Sequence, residues 1–114
     1  IAESIIKIAR KKIAGITNDP VKTAAAVNLK YVYDTEPGFM RIKNGKDFKY
    51  QFRENIITDE ENLQRIKRLV IPPAWEKVWI CKSADGHLQA TGLDVKNRKQ
   101  YKYHSLWNSF RNQT

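Results

Sequence analysis

The dipeptide Asn44-Gly45 separates two short segments in which apolar and polar residues alternate, Phe39 to Lys43 and Asp47 to Phe52. Alternation with a period of two is typical of a strand with one buried face. Asn-Gly favours a type I′ turn, because both central residues of that turn have positive φ. The sequence therefore predicts an antiparallel hairpin, and a chain built around one must contain a sheet.

Four further segments also have the composition of strands and are predicted to join the sheet. The turn residues Ser83 to Gly86 and Asp94 to Asn97 connect the last three of these segments as hairpins. We expect an α+β fold, an antiparallel sheet of about five strands with helices packed on one side. The additional predicted strands are Leu29 to Tyr33, Val78 to Lys82, His87 to Gly92 and Arg98 to His104.

Helices are predicted where cap residues precede a helical apolar period. Residues 2–13 carry an approximate stripe of isoleucines, which predicts an N-terminal helix docked by that stripe; a membrane-surface helix is the alternative. Three other helices are predicted, with cap residues at Asn18 and Asp19 before Pro20, at Asp59 and at Ser105.

The chain is strongly basic, with 21 Lys and Arg against 12 Asp and Glu in 114 residues, a net charge of +9. Such an excess favours a polyanionic partner over a surface that is basic only for solubility. The one cysteine, Cys81, excludes an internal disulfide, fits a cytoplasmic compartment and is expected to be a small buried apolar residue. No apolar run approaches the length of a membrane span, so we expect no membrane partner.

The segment 98–104 carries the clearest functional pattern. On a strand, Lys99, Tyr101 and Tyr103 share one face, and Arg98, Gln100, Lys102 and His104 share the other. An amide can bond bidentately to adenine in a major groove, and tyrosines can contact base edges and phosphates.

Basic residues beside these groups are the candidate phosphate contacts, namely Lys96, Arg98, Lys99 and Lys102. His104 could reach a phosphate or make a structural hydrogen bond instead, while His87 is expected to hold its hairpin or pack on the sheet. Each residue also has a simpler explanation, a half-buried tyrosine or a solvated cation. Thiols and imidazoles are too few for a zinc site, and we expect no metal or other cofactor.

Seven motifs stand out along the chain, namely Leu29 to Val32, Asp34 to Phe39, Gly45 to Tyr50, Ile71 to Trp75, Val78 to Cys81, Gly86 to Gly92 and Arg98 to His104. In this order they resemble the N-terminal domain of bacterial type IB DNA topoisomerases, relatives of the poxvirus enzyme. The resemblance covers about residues 18 to 107, and we expect residues 18–114 to form this domain and residues 1–17 a helical extension. Asn97 and Ser105 stand where many relatives have glycine and proline.

The resemblance implies that this is the small lobe of a clamp around duplex DNA, lying against the major groove. In the family a C-terminal catalytic domain, here expected to be absent, supplies the nucleophilic tyrosine. That tyrosine forms a 3′-phosphotyrosyl bond and religates the strand without a cofactor, which relaxes supercoils. Gln100, Tyr101 and Tyr103 match the segment that makes groove contacts in the poxvirus enzyme.

The resemblance thus implies a fragment of an enzyme, cytoplasmic and associated with the bacterial nucleoid. Alone, this fragment is expected to bind duplex DNA but not to relax supercoils. Its expected partners are duplex DNA and the catalytic domain. Two alternatives stay open. The Tyr101 and Tyr103 face could pack on a protein, as in a non-catalytic interaction module, or it could stack the bases of single-stranded nucleic acid.

Overall fold

A computed structural model describes residues 19–112 of the chain. The described part contains six strands, and a helix lies before, between and after them. In chain order the elements are α1 (Pro20–Ala26), β1 (Phe39–Asn44), β2 (Asp47–Phe52), β3 (Asn55–Ile56), α2 (Glu60–Arg68), β4 (Glu76–Ile80), β5 (Leu88–Leu93), β6 (Lys99–Tyr103) and α3 (Ser105–Asn112).

The strands form one sheet in the order β3-β2-β1-β4-β5-β6, and every neighbouring pair is antiparallel. The predicted α+β class is confirmed, with six strands in place of about five. The strand β3 was not predicted, because two residues are too short for a periodic pattern. In this order β6 is the last strand, so one side of it has no neighbouring strand within the described residues.

The hairpin predicted at Asn44-Gly45 is confirmed, but its turn type is different. Asn44 pairs with Asp47, so the central turn residues are Gly45 and Lys46. Gly45 has a φ of 66°, and Lys46 is not among the residues with positive φ. Glycine at the first central position alone is the pattern of a type II′ turn. Asn44 is therefore the last paired residue of β1 and not a central residue of the turn.

The strand predicted over Leu29 to Tyr33 is wrong. Only Lys30 makes a bridge, parallel to Gly86. The Lys30 N–H donates to the Asp85 carbonyl at 2.8 Å, and the Lys30 carbonyl accepts from the His87 N–H at 2.8 Å. The next available backbone donor, on Val32, bonds a side chain instead of another strand. Leu29 and Tyr31 gave the segment the composition of a strand, but they pack in the cluster that the two neighbouring helices share.

The predicted helix starts at Asp19 and Asp59 are confirmed by their caps. Asp19 accepts from the N–H groups of Val21 and Lys22, and Asp59 from that of Asn62. The cap predicted at Ser105 is wrong, because His104 precedes it and its Nδ1 accepts from the Leu106 N–H at 3.1 Å. The helix predicted over residues 2–13 lies outside the described residues.

Two apolar clusters hold the described elements together. In the first, Ile66 of α2 packs on one face of the sheet, on Phe39, Val78, Ile80 and Ala90. In the second, α1 and α3 pack on each other through Ala24, Val27, Leu29, Trp107 and Phe110. Cys81 is buried, as expected. Across the described range, the helices are too short or too polar to span a membrane.

Candidate functional site

The two faces of β6 carry different groups, as the alternating pattern predicts. Tyr101 pairs with Thr91 and Lys99 pairs with Leu93, so these residues share a face. Gln100 pairs with Gly92 and Lys102 pairs with Ala90 on the other face. Ala90 belongs to the cluster under α2. Lys99 and Tyr101 therefore lie on the side of the sheet that α2 does not cover.

On that side of the sheet, paired residues form a row across four strands. Met40 pairs with Trp79, Trp79 with Thr91, and Thr91 with Tyr101. Met40 is 62% exposed and Tyr101 is 47% exposed. The segment before β1 covers the middle of the row, where the Trp79 indole N–H donates to the Glu36 carbonyl at 2.9 Å. We call the side that carries this row the open face.

The basic and aromatic groups of the open face contact one another on β6. The rings of Tyr101 and Tyr103 are nearly parallel, 14° apart, with centroids separated by 6.0 Å. The Lys99 ammonium lies 5.7 Å from the centre of the Tyr101 ring and pairs with the Asp34 carboxylate. Hydrogen bonding to Asp34 raises the pKa of Lys99, and burial raises the pKa of Tyr103. The lysine is thus charged and the phenol neutral at physiological pH.

On the opposite side of β6, Lys102 and His104 line a cavity of about 520 Å³ together with Arg65 and Arg68. The Arg65 guanidinium is fixed by the Gln89 side chain at 2.6 Å and the Cys81 carbonyl at 2.7 Å. The candidate cations therefore lie on both sides of the edge strand and not on one flat surface.

Residues 47–94 match the family model described as bacterial DNA topoisomerase IB, N-terminal domain. Residues 47–94 thus belong to a type IB topoisomerase N-terminal domain. The DNA topoisomerase 1B of Acanthamoeba polyphaga mimivirus is 40% identical over 70 residues, which are 60% of this chain. Those residues are 21% of the viral protein, so the chain spans about a fifth of that relative's length.

The family match ends at Asp94, so β6 lies beyond it. The roles assigned to the eight candidate residues from Lys96 to His104 therefore stay predictions. What the structure of the topoisomerase domain adds is their placement. Lys96 and Arg98 are exposed in the turn before β6, while Gln100 and Lys102 are half-buried.

The two histidines of the domain make structural contacts. His104 caps α3 through Nδ1, and burial lowers its pKa. His87 is buried and stacks on the Tyr31 ring at a centroid distance of 4.0 Å. Its Nδ1 accepts from the Val32 N–H at 3.0 Å, and its pKa is also lowered by burial. His87 was predicted to hold its hairpin or to pack on the sheet, and its side chain contacts the earlier segment at Tyr31 and Val32 and also contacts Trp107 of α3. The proposed phosphate contact of His104 stays a prediction.

Two acidic residues of the site were missed at the level of sequence. Asp34 pairs with Lys99, and Asp94 lies at the start of the turn before β6. Asp94 gave a detectable signal, since an aspartate that opens a tight turn commonly accepts the N–H groups that follow it. Asn97, in the same turn, has a φ of 62°, as expected for an asparagine at a glycine-like position. Asp34 is 65 residues from Lys99, and no local pattern connects them.

Proposed function

We propose that the topoisomerase domain binds duplex DNA with the β6 edge strand and the turn before it inserted in the major groove. The observation that carries this proposal is the position of β6 at the edge of the sheet with cations on both flanks. A major groove about 12 Å wide admits a two-stranded ribbon and has a phosphate chain on each side. An edge strand can enter such a groove with the side chains of both of its faces, because no neighbouring strand blocks its outer edge. A central strand has a neighbour on each side and cannot do so.

The groups on β6 and its turn divide by chemistry into two sets. Lys96, Arg98 and Lys99 are exposed and suit phosphate oxygens, which position a protein without recognising sequence. Gln100 and Tyr101 have the donors, acceptors and apolar edges that suit bases. Lysines on an edge strand can also serve only to discourage aggregation of sheets. The paired tyrosines and the amide beside the lysines favour the binding role.

In the same proposal, the domain is one lobe of a clamp, and catalysis belongs to a partner domain of the parent enzyme. There the phenol oxygen of a tyrosine would attack a phosphodiester, forming a 3′-phosphotyrosyl bond while the P–O5′ bond breaks and a 5′-hydroxyl leaves. After rotation, attack of that hydroxyl on the phosphotyrosine would reseal the strand and release the tyrosine. The name of the viral relative and its greater length support this division. The expected cytoplasmic, nucleoid-associated location belongs to the proposal as well.

Binding is tested by competition between a short duplex and a single strand of the same sequence, measured over a series of salt concentrations. We expect the duplex to compete better, and log affinity to fall with log salt at a slope near −4 to −5, as about four to six phosphate contacts would produce. Tighter binding of the single strand would favour tyrosine stacking on unpaired bases. Failure to bind either nucleic acid would favour a protein-interaction module.

A further inference from the structure

Four hydrogen bonds converge on the carboxylate of Asp94 in the turn between β5 and β6. Oδ1 accepts from the backbone N–H groups of Lys96 and Arg98, each at 2.9 Å. Oδ2 accepts from the Arg98 Nε–H at 2.9 Å and from the Gln100 Nε2–H at 3.0 Å. One oxygen thus holds the turn, and the other holds two side chains that are candidates for DNA contact.

The carboxylate is a fixed acceptor. Its side chain is 13% exposed, against 65% for Arg98. The backbone N–H of Arg98, followed by the side chains of Arg98 and Gln100 and the backbone N–H of Lys96, lowers the pKa of Asp94 below its usual range. Asp94 is therefore ionised at neutral pH, and an ionised carboxylate only accepts hydrogen bonds.

An acceptor-only partner determines which way the Gln100 amide points. If the amide were reversed, its Oε1 would face the negatively charged Oδ2 of Asp94, so Nε2 must face the carboxylate. The amide keeps Oε1 and its second N–H for another partner. Recognition of adenine uses one acceptor for N6–H and one donor for N7, which are the two groups that remain.

Arg98 is held by the same oxygen through Nε, which leaves the N–H groups of its two terminal nitrogens for a phosphate or a base. Two long side chains are thus ordered before any ligand arrives. Ordering a side chain in advance lowers the entropy cost of binding.

We propose that Asp94 is a positioning residue that sets the base preference of this domain, by fixing the orientation of the Gln100 amide. The inference rests on the proposed binding of duplex DNA. A role limited to the turn is the competing explanation, and the two oxygens separate the two explanations. Only the Oδ2 contacts reach the candidate DNA-binding side chains.

The substitution Asp94→Asn tests this inference. An asparagine can keep its oxygen on the two backbone N–H groups, which preserves the turn, while its NH₂ group faces Gln100 and Arg98. Two donors then oppose each other at Gln100, and the amide is expected to reverse. Asp47→Asn is the matched control, since it removes one negative charge at an exposed position of β2, on the other side of the sheet from β6.

The experiment measures relative affinities of the 114-residue chain for a pool of short duplexes with randomised central base pairs. We expect the wild-type chain to prefer adenine at one position by about 5-fold to 100-fold, the range for a bidentate contact. Asp94→Asn should reduce that ratio at least 5-fold without weakening binding to the pool, since the variant gains net positive charge. Asp47→Asn should leave the ratio unchanged.

Gln100→Ala completes the test, because it removes the amide that Asp94 orients. It should abolish the same preference, and adding Asp94→Asn to it should change the ratio no further. An adenine preference that survives Asp94→Asn would overturn the inference, as would a uniform loss of affinity or a preference unaffected by Gln100→Ala. A wild-type chain that binds no duplex would overturn the proposed function and, with it, this inference.

Discussion

Replacing Lys96, Arg98 and Lys99 together by alanine should weaken duplex binding by about two to three orders of magnitude at about 0.1 M salt. Each phosphate contact releases about 0.9 counterion, which contributes roughly one order of magnitude at that concentration. The slope of log affinity against log salt should also become shallower by about three. Both quantities come from the same titration of fluorescent duplex, repeated at several salt concentrations.

The matched control replaces three lysines elsewhere on the domain, Lys22, Lys46 and Lys67, by alanine. It changes the net charge by the same amount, and its residues lie in α1, the first hairpin turn and α2. Charges that do not contact the DNA are screened over about 10 Å at this salt concentration, so the loss should be less than a few-fold. Equal losses in the two triple variants would mean that net charge, and not β6, determines binding.

Replacing His87 by alanine should destabilise the domain by about 3 kcal/mol. The change removes a buried ring that stacks on Tyr31 and meets the Trp107 ring edge-on at 4.8 Å. It also leaves the Val32 N–H without its acceptor. For a domain of this size the melting temperature should fall by about 10 to 20 °C, as measured by thermal unfolding at neutral pH.

The stability of the wild-type domain should also fall as the pH is lowered. Burial holds the pKa values of His87 and His104 below the usual value of 6.5, so the unfolded chain takes up protons before the folded one does. The stability from these neutral rings is complete above about pH 6.5 and is lost as the pH falls toward the folded pKa values.

His87→Phe separates the ring from its acceptor atom. It keeps most of the stacking surface but should cost about 1 to 3 kcal/mol, because the Val32 N–H loses its acceptor. It should also reduce the loss of stability between about pH 7 and pH 5, whereas His104→Asn keeps an effective cap and serves as the second titration control. A phenylalanine variant as stable as the wild type would contradict the role given to the Val32 bond.

The sequence predicted the parts of this fold that depend on local chemistry. Asp19 and Asp59 cap helices because their side chains reach N–H groups two or three residues away, and such spacing is visible in the chain. The hairpin at Gly45 was predicted from its turn residues, but its register was not. The identity of the turn depends on which residues pair, and a shift of one position reverses every side chain of a strand.

The parts that were missed depend on distant contacts. Leu29 to Tyr33 has the composition of a strand, yet its Val32 N–H bonds the side chain of His87, 55 residues away.

The candidate site shows the same division between local features, which were predicted, and distant contacts, which were not. The alternation of Lys99 and Tyr101 against Gln100 was predicted from the period of a strand. The pairing of Lys99 with Asp34 was not predictable, because tertiary packing alone brings that carboxylate to β6.

The measurement that tests the central claim most directly is a chemical-shift titration of the isotope-labelled chain with a short duplex. Insertion of β6 in the major groove should perturb the amides of residues 94–104 first and most strongly, with lesser changes on the open face. The amides of α1 should change little. Perturbations that concentrate on α1 and α2 and spare residues 94–104 would contradict the proposed interface.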